Sequence, residues 1–121
     1  MGVSDNPICE VREPLPGCVV VTVTGEVDAH SAPQFQEALL AALARAARRL
    51  VVDLDDVTFF DSAGIRTLIT LRQRAGERTD RVRLVMPRRT GVRRALDISS
   101  VDRLFGVADS VDRALPGVEA A

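Results

Sequence analysis

The chain contains no Lys, no Trp and no Tyr. All 16 basic residues are Arg, set against 17 acidic ones, for a formal net charge of −1. That balance excludes a global field drawing in nucleic acid or an anionic membrane. With only four Phe, aromatic platforms for stacking single-stranded bases are missing too. No direct nucleic-acid partner is expected. No run approaches the roughly 20 apolar residues that span a bilayer, so no membrane insertion is expected either. Met1-Gly2-Val3-Ser4-Asp5-Asn6-Pro7 lacks the basic and apolar regions of a secretory leader. Ser4 does not stand at the sixth position of a myristoylation motif. The expected location is cytoplasmic.

Cysteine is scarce, with only Cys9 and Cys18. A hairpin turning at Pro14-Leu15-Pro16-Gly17 makes opposing residue numbers sum to about 31. Cys9 then faces Thr22 and Cys18 faces Glu13. The thiols are out of step, and both are expected to be reduced, small apolar residues. Two Cys and one His match no zinc spacing. No metal and no other cofactor is expected.

The 121 residues suffice for one domain with a real core. A single domain over 1–121 is expected, with short mobile ends at about 1–7 and 116–121. The organising stretch runs from Leu50 to Arg66. An apolar run, Leu50-Val51-Val52, reads as a buried strand. A hydrophobic lead-in through Phe59-Phe60 reaches the polar turn Asp61-Ser62-Ala63-Gly64. Ile65, Leu68, Ile69 and Arg72 then recur at helical spacing.

Around this stretch the elements alternate. Ile8–Arg12 and the β-branched run Cys18–Thr24 read as strands. Gly25 ends the second, and 26–30 is a loop. Ser31 caps a helix, with Gln34 three residues later as in a capping box. Phe35, Ala38, Leu39, Ala42, Leu43 and Ala46 form its apolar stripe, and Arg45, Arg48 and Arg49 close it. The second helix stops at Gly76. A strand at Val82–Met86, a helix capped by Thr90, a strand at Leu104–Val107 and a last helix capped by Asp109 or Ser110 follow. The order predicts an α/β fold: a mixed, mostly parallel sheet of four to five strands with about four helices packed on it. Functional groups in such folds gather at one end of the strands. Loop 25–30 and turn 61–64 both follow strands, so they can share that end.

Four chemistries compete. Asp53, Asp55, Asp56 and Asp61 are dense enough for a metal-dependent phosphohydrolase using Asp53 and Asp55. Such sites commonly hold the phosphoryl group with a Lys, which is absent. Asp53 is better read as a loop-facing structural acid, and Asp55 and Asp56 as turn residues. Asp28, His30 and Ser31 suggest a hydrolase triad, but such close neighbours seldom converge on one atom, and no nucleophile-elbow glycines surround Ser31. Arg88, Arg89, Arg93 and Arg94 read as a solvated helix face. No catalytic residue is assigned.

Ser62 remains. A serine opening a helix is commonly only its cap. Here it follows an aspartate, precedes the small pair Ala63-Gly64, and is thrust out at a sheet edge. A phosphate there would add roughly −1.5 to −2 charge. The helix N-terminus tolerates such charge, while Asp61 and Asp28 make the surrounding surface acidic. Phosphorylation would repel a partner and keep the fold.

Gly25-Glu26-Val27-Asp28 after a valine-rich strand, followed by Val57-Thr58-Phe59-Phe60-Asp61-Ser62-Ala63-Gly64-Ile65-Arg66, resembles the STAS domain family. It looks most like its stand-alone bacterial anti-sigma factor antagonists. Pro87 after the fourth strand and Val101-Asp102-Arg103-Leu104-Phe105 agree, and the resemblance runs from about Ile8 to Leu115. It implies partner switching. The unmodified antagonist binds an anti-sigma factor that is also a serine kinase and so releases a sigma factor. Phosphorylation of the serine after the motif Asp, here Ser62, switches it off, and a phosphoserine phosphatase reverses this. Glu26, Asp28, Asp61 and Gly64 would lie in or beside the partner surface, with His30, Ile65 and Arg66 added by proximity. Ala63 replaces a second serine found in many relatives, which leaves Ser62 the only hydroxyl of the turn. Arg66 stands where some relatives have a small residue, and would redirect kinase docking or pair with a phosphate on Ser62. The family also implies an alternative: an unphosphorylated subunit or scaffold of a membrane transport ATPase.

Overall fold

The computed structural model describes residues 8–78 and 80–117. Of the ends expected to be mobile, only Pro116 and Gly117 are among the described residues. The elements are β1 (Ile8–Leu15), β2 (Cys18–Val27), α1 (Ala32–Arg45), β3 (Arg49–Phe60) and α2 (Ser62–Ala75). They continue with β4 (Val82–Val85), α3 (Thr90–Ile98), a 3-10 turn (Val101–Arg103), β5 (Gly106–Ala108) and α4 (Val111–Ala114). The α/β expectation holds, with a five-stranded sheet and four helices.

The strands lie side by side in chain order, β1-β2-β3-β4-β5. β1 is antiparallel to β2, and each later neighbour is parallel. A sheet that grows in one direction through right-handed crossovers carries its crossover helices on one face. Accordingly Phe35, Leu39 and Leu43 of α1, Leu68 and Leu71 of α2, and Val92 and Leu96 of α3 share one core with Val21, Leu50, Val52, Leu54 and Leu84. Each such fully buried side chain contributes on the order of 1.5–3 kcal/mol. On the opposite face, among the described residues, α4 brings Ala114, Val111 and the following Leu115 onto Val20, Val51 and Val85.

Several expected boundaries move. β1 continues through Pro14 to Leu15, with a register irregularity between Arg12 and Leu15. As a result Cys9 opposes Val23 rather than Thr22, and Cys18 opposes Leu15 rather than Glu13. Both thiols are free. β2 does not end at Gly25. That residue has φ +92°, and opposite it β3 carries an extra residue, Thr58, because Gly25 pairs with Val57 and Glu26 with Phe59; pairing then resumes through Val27 and Phe60. Asp55 and Asp56 are not turn residues but lie within β3, and Asp53 pairs with Thr22 and Val85 rather than facing a loop. Arg49 opens β3 instead of closing α1. The last strand begins at Gly106, two residues later than expected.

Candidate functional site

β2 and β3 end together. Val27 pairs with Phe60, and the next amide, Asp61 N–H, donates to Val27 O at 3.1 Å. Loop 28–31 and the turn at 61–64 therefore leave the sheet side by side at its C-terminal end. The expectation that they share one end holds.

The first loop is organised by Asp28. Its Oδ1 accepts the N–H groups of His30 and Ser31, both at 3.0 Å. The Ser31 N–H bond, foremost, holds the Asp28 carboxyl below the usual carboxylate range, with the Ser31 hydroxyl, His30 N–H and His30 charge adding to it and partial desolvation opposing. Ser31 does not cap α1 through its side chain. Its hydroxyl turns back under the loop, 3.0 Å from Glu26 O, and accepts Asp28 N–H at 3.0 Å. It is only 4% exposed. In place of a capping box, Asp28 Oδ1 holds the loop amides that precede the helix, and the first helical amide, Ala32 N–H, donates to the Asp28 backbone carbonyl at 2.8 Å. A buried, fully engaged hydroxyl is no nucleophile.

The second loop is organised by Asp61. It is the N-cap of α2, and its carboxylate accepts Ala63 N–H at 2.9 Å. Ser62 is thus the first helical residue rather than the cap. It is exposed, and its hydroxyl joins no hydrogen bond among the described residues. Gly64 is buried, and a Cβ there would meet the Phe60 ring and Val27. It serves the site by bringing the helix start close to the sheet. Ile65 is half-buried and packs on the core, whereas Arg66, one residue on, is exposed.

These residues form one surface. Glu26, His30, Ser62 and Arg66 are exposed, and Asp28 and Asp61 half-buried. A cavity of about 330 Å³ lies among Gly25, Glu26, Asp28, His30, Ser31 and Thr58. A groove of about 360 Å³ runs between the starts of α1 and α2, with Ala29, Pro33 and Gln36 on one wall and Ala63, Arg66 and Thr70 on the other. Two residues not anticipated from the sequence join the surface, Thr58 and Phe59. Phe59 pairs with Glu26 and is 47% exposed. Strand alternation gives no clear signal for it: counted back from Phe60 it points out, counted forward from buried Val57 it points in, because the extra residue Thr58 breaks the period.

The other acids do not converge. Asp55 forms a two-pronged pair with Arg88, Nε lying 3.2 Å from Oδ1 and Nη2 bonding Oδ2. Asp53 Oδ1 instead accepts Asp55 N–H at 3.1 Å. Burial, then the charges of Asp55 and Asp56, push the Asp53 carboxyl above its usual range, partly offset by that bond and by Arg12. No group of three or more His, Cys, Asp or Glu among the described residues is arranged to hold a metal ion. No helix there is long and apolar enough to cross a membrane.

Comparison with known proteins places this geometry. The model of the STAS domain family matches residues 11–114. The anti-sigma-F factor antagonist RsfB of Mycobacterium tuberculosis is 28% identical over 102 residues, covering 84% of this chain and 82% of RsfB. The crystal structure of an anti-sigma factor antagonist from Mycobacterium paratuberculosis superposes with a TM-score of 0.81 at 28% identity, over 94% of this chain and 95% of that one. The anti-sigma factor antagonist SpoIIAA in its unphosphorylated form shares the fold, with a TM-score of 0.72 at 19% identity over 94% and 98% of the two chains.

Proposed function

The chain belongs to the STAS domain family, and from that premise we propose that it is an anti-sigma factor antagonist switched by phosphorylation of Ser62. In its unmodified form it binds an anti-sigma factor that is also a serine kinase, and so frees a sigma factor. The kinase, using its own ATP, transfers a phosphoryl group to Ser62, and a phosphoserine phosphatase removes it. The antagonist itself performs no catalysis; the chemistry belongs to its partners.

The observation that carries this reading is the state of the Ser62 hydroxyl. Asp61 does the capping, so Ser62 stands exposed at the helix start with no structural duty among the described residues. A phosphate there meets first-turn N–H groups and the positive end of the helix dipole. It also adds charge to a rim already carrying Glu26, Asp28 and Asp61. A docked partner would feel that charge as repulsion, while the fold beneath is spared. Glu26, Asp28, His30, Ile65 and Arg66 complete the docking rim, and Gly64 fixes its geometry from below.

Incubation with the cognate kinase and ATP should add one phosphate at Ser62, and Ser62→Ala should abolish it. Ser62→Asp should weaken capture of the anti-sigma factor by up to several kcal/mol, the scale for like charges brought together at an interface. Labelling that persists in Ser62→Ala would overturn the acceptor assignment. Co-purification with a membrane ATPase, indifferent to Ser62→Asp, would replace the antagonist with a transporter subunit.

A further inference from the structure

The acids around Ser62 stand at the C-terminal end of the sheet, and an arginine cluster stands at the other. Where β4 and β5 begin, Arg72 from the last turn of α2, Arg83 from β4 and Arg103 from the 3-10 turn line one cavity of about 440 Å³. Among the described residues one acid, Asp80, shares its wall, and Asp80 is paired with Arg78 at 3.6 Å. Arg83 and Arg103 have no acidic partner among the described residues.

Arg83 is the informative member. Its Nε is buried and has no acceptor. A buried charged donor left unmade is costly, and an anion held by the outer nitrogens of the same guanidinium would offset its partly buried charge. Its opposite number on β5 is Gly106, where a Cβ would lie 2.7 Å from Arg83 Cδ and Nε. The glycine keeps open the lane in which the guanidinium stem lies. Nearby Arg49 is held below the usual arginine range by burial first and then by the Arg83 charge. Its own donors are already bonded to the carbonyls of Asp80 and Ala114. The cluster is therefore net positive and partly desolvated, although Asp80 lies in its wall and Arg72 Nη1 donates to Gly76 O.

We propose that this cavity binds a phosphoryl anion. A guanidinium presents paired N–H donors in a planar fork that fits two phosphoryl oxygens. Three of them around one cavity favour a small polyanion, such as pyrophosphate or the phosphate end of an ester, over a single monoanion. The site lies the length of β3 from the Ser62 turn, roughly 30 Å from Val51 to Phe60 at about 3.3 Å per residue. Its ligand therefore does not compete with a partner docked on the serine.

Calorimetric titration of the full chain with inorganic pyrophosphate at low ionic strength should reveal one saturable site. It should be about tenfold tighter than for inorganic phosphate. Arg103→Gln, at an exposed position, and Arg83→Gln should each weaken it about tenfold or more. Arg93→Gln on α3 should leave it unchanged. Thermal melts give an independent readout, because a ligand of the folded state raises Tm. Pyrophosphate should raise Tm for wild type and Arg93→Gln but not for Arg103→Gln, which carries the test if Arg83→Gln fails to fold. Glycerol 3-phosphate separates the two sources: tighter than inorganic phosphate assigns an esterified ligand, weaker a free one. Absence of both heat and Tm shift at millimolar pyrophosphate, equal binding of citrate, equal loss in Arg93→Gln, or affinity only for duplex DNA would each overturn the assignment.

Discussion

Gly64 sits against Phe60 as closely as a residue without a side chain allows. A Cβ at position 64 would stand 2.8 Å from Phe60 Cε2 and Cζ and 2.9 Å from Val27 Cγ1. The ring has no room to yield, because it is held edge-on against Phe35, centroids 5.8 Å apart and planes at 88°. α2 is thereby drawn down onto the ends of β2 and β3, and this fixes where Ser62 emerges. Gly64→Ala gains about 1 kcal/mol of helix propensity but overpacks a buried contact, which costs about 1–3 kcal/mol. Urea unfolding should therefore find a net loss of up to about 2 kcal/mol. Phe60→Leu in the same chain should recover part of it, with a coupling of at least about 0.5 kcal/mol. A Gly64→Ala protein as stable as wild type would mean that the ring yields.

Asp61 and Ser62 divide the labour of the turn, and the division can be measured. Asp61→Ala removes the acceptor of Ala63 N–H and should cost about 0.5–2 kcal/mol, the range for a lost N-cap. Ser62→Ala removes a hydroxyl with no bond to lose and should fall within about 0.5 kcal/mol of wild type. If Ser62→Ala is the more damaging of the two in urea or thermal unfolding, the serine is the cap and its exposure for modification is secondary.

The element order was legible because periodicity carries it: β-branched runs such as Cys18–Thr24, and the Phe35–Leu39–Leu43 stripe, each admit one reading. The ends of elements were not. Gly25 looks like punctuation, yet β2 runs through it, and only the pairing of Glu26 with Phe59 and of Val27 with Phe60 shows that the strand continues. Asp55 and Asp56 carry turn chemistry, but β3 runs on past the end of its pairing with β4, and Arg88 accompanies Asp55 there, so the acids stay in the strand. The choice between Asp61 and Ser62 as cap was beyond the sequence, since both side chains cap well. It is decided by which one points back at the helix. Ser31 shows the same ambiguity in reverse: it stands at the cap position, but its hydroxyl is spent on the Glu26 and Asp28 backbone instead of on the helix. The charge cluster of Arg72, Arg83 and Arg103 was invisible because three separate elements supply it.

Acid titration should separate two aspartates by sign. Asp28 is held below its unfolded value, chiefly by the Ser31 N–H. Its stabilising contribution is therefore present above about pH 4, the unfolded carboxylate value, and is lost as pH falls through the lower folded value. Asp53 is the opposite case, raised chiefly by burial. The folded state holds its proton longer than the unfolded one, so stability falls as pH rises from about 4 through the folded value. Asp53→Asn keeps an acceptor for Asp55 N–H and removes the buried charge. It should be more stable than wild type at neutral pH and lose that advantage in acid, whereas Asp28→Asn should be weaker at neutral pH and converge with wild type in acid. Urea midpoints measured across pH 3–8 check both; an Asp53→Asn protein weaker than wild type at neutral pH would show that the carboxylate is needed ionised.

Arg66 stands one helical turn beyond Ser62, at the i+4 position where side chains meet. Both are exposed, so a phosphate on Ser62 and the Arg66 guanidinium would form a solvent-screened pair worth about 0.3–0.5 kcal/mol. At 1.36 kcal/mol per pKa unit, that corresponds to about 0.2–0.4 unit in the second ionisation of the phosphate. Phosphorus NMR titration of the phosphorylated chain should therefore show Arg66→Gln raising the midpoint by that amount at low salt. At 1 M salt, where the screening length is about 3 Å, the difference should shrink. The competing geometry has the phosphate turned onto the helix-start amides instead. Arg66→Gln would then leave the midpoint in place, and Asp61→Asn, which removes the nearest like charge, would lower it. The two outcomes assign different work to Arg66: in the first it moderates the negative charge that repels the partner, and in the second it is free to touch the partner itself.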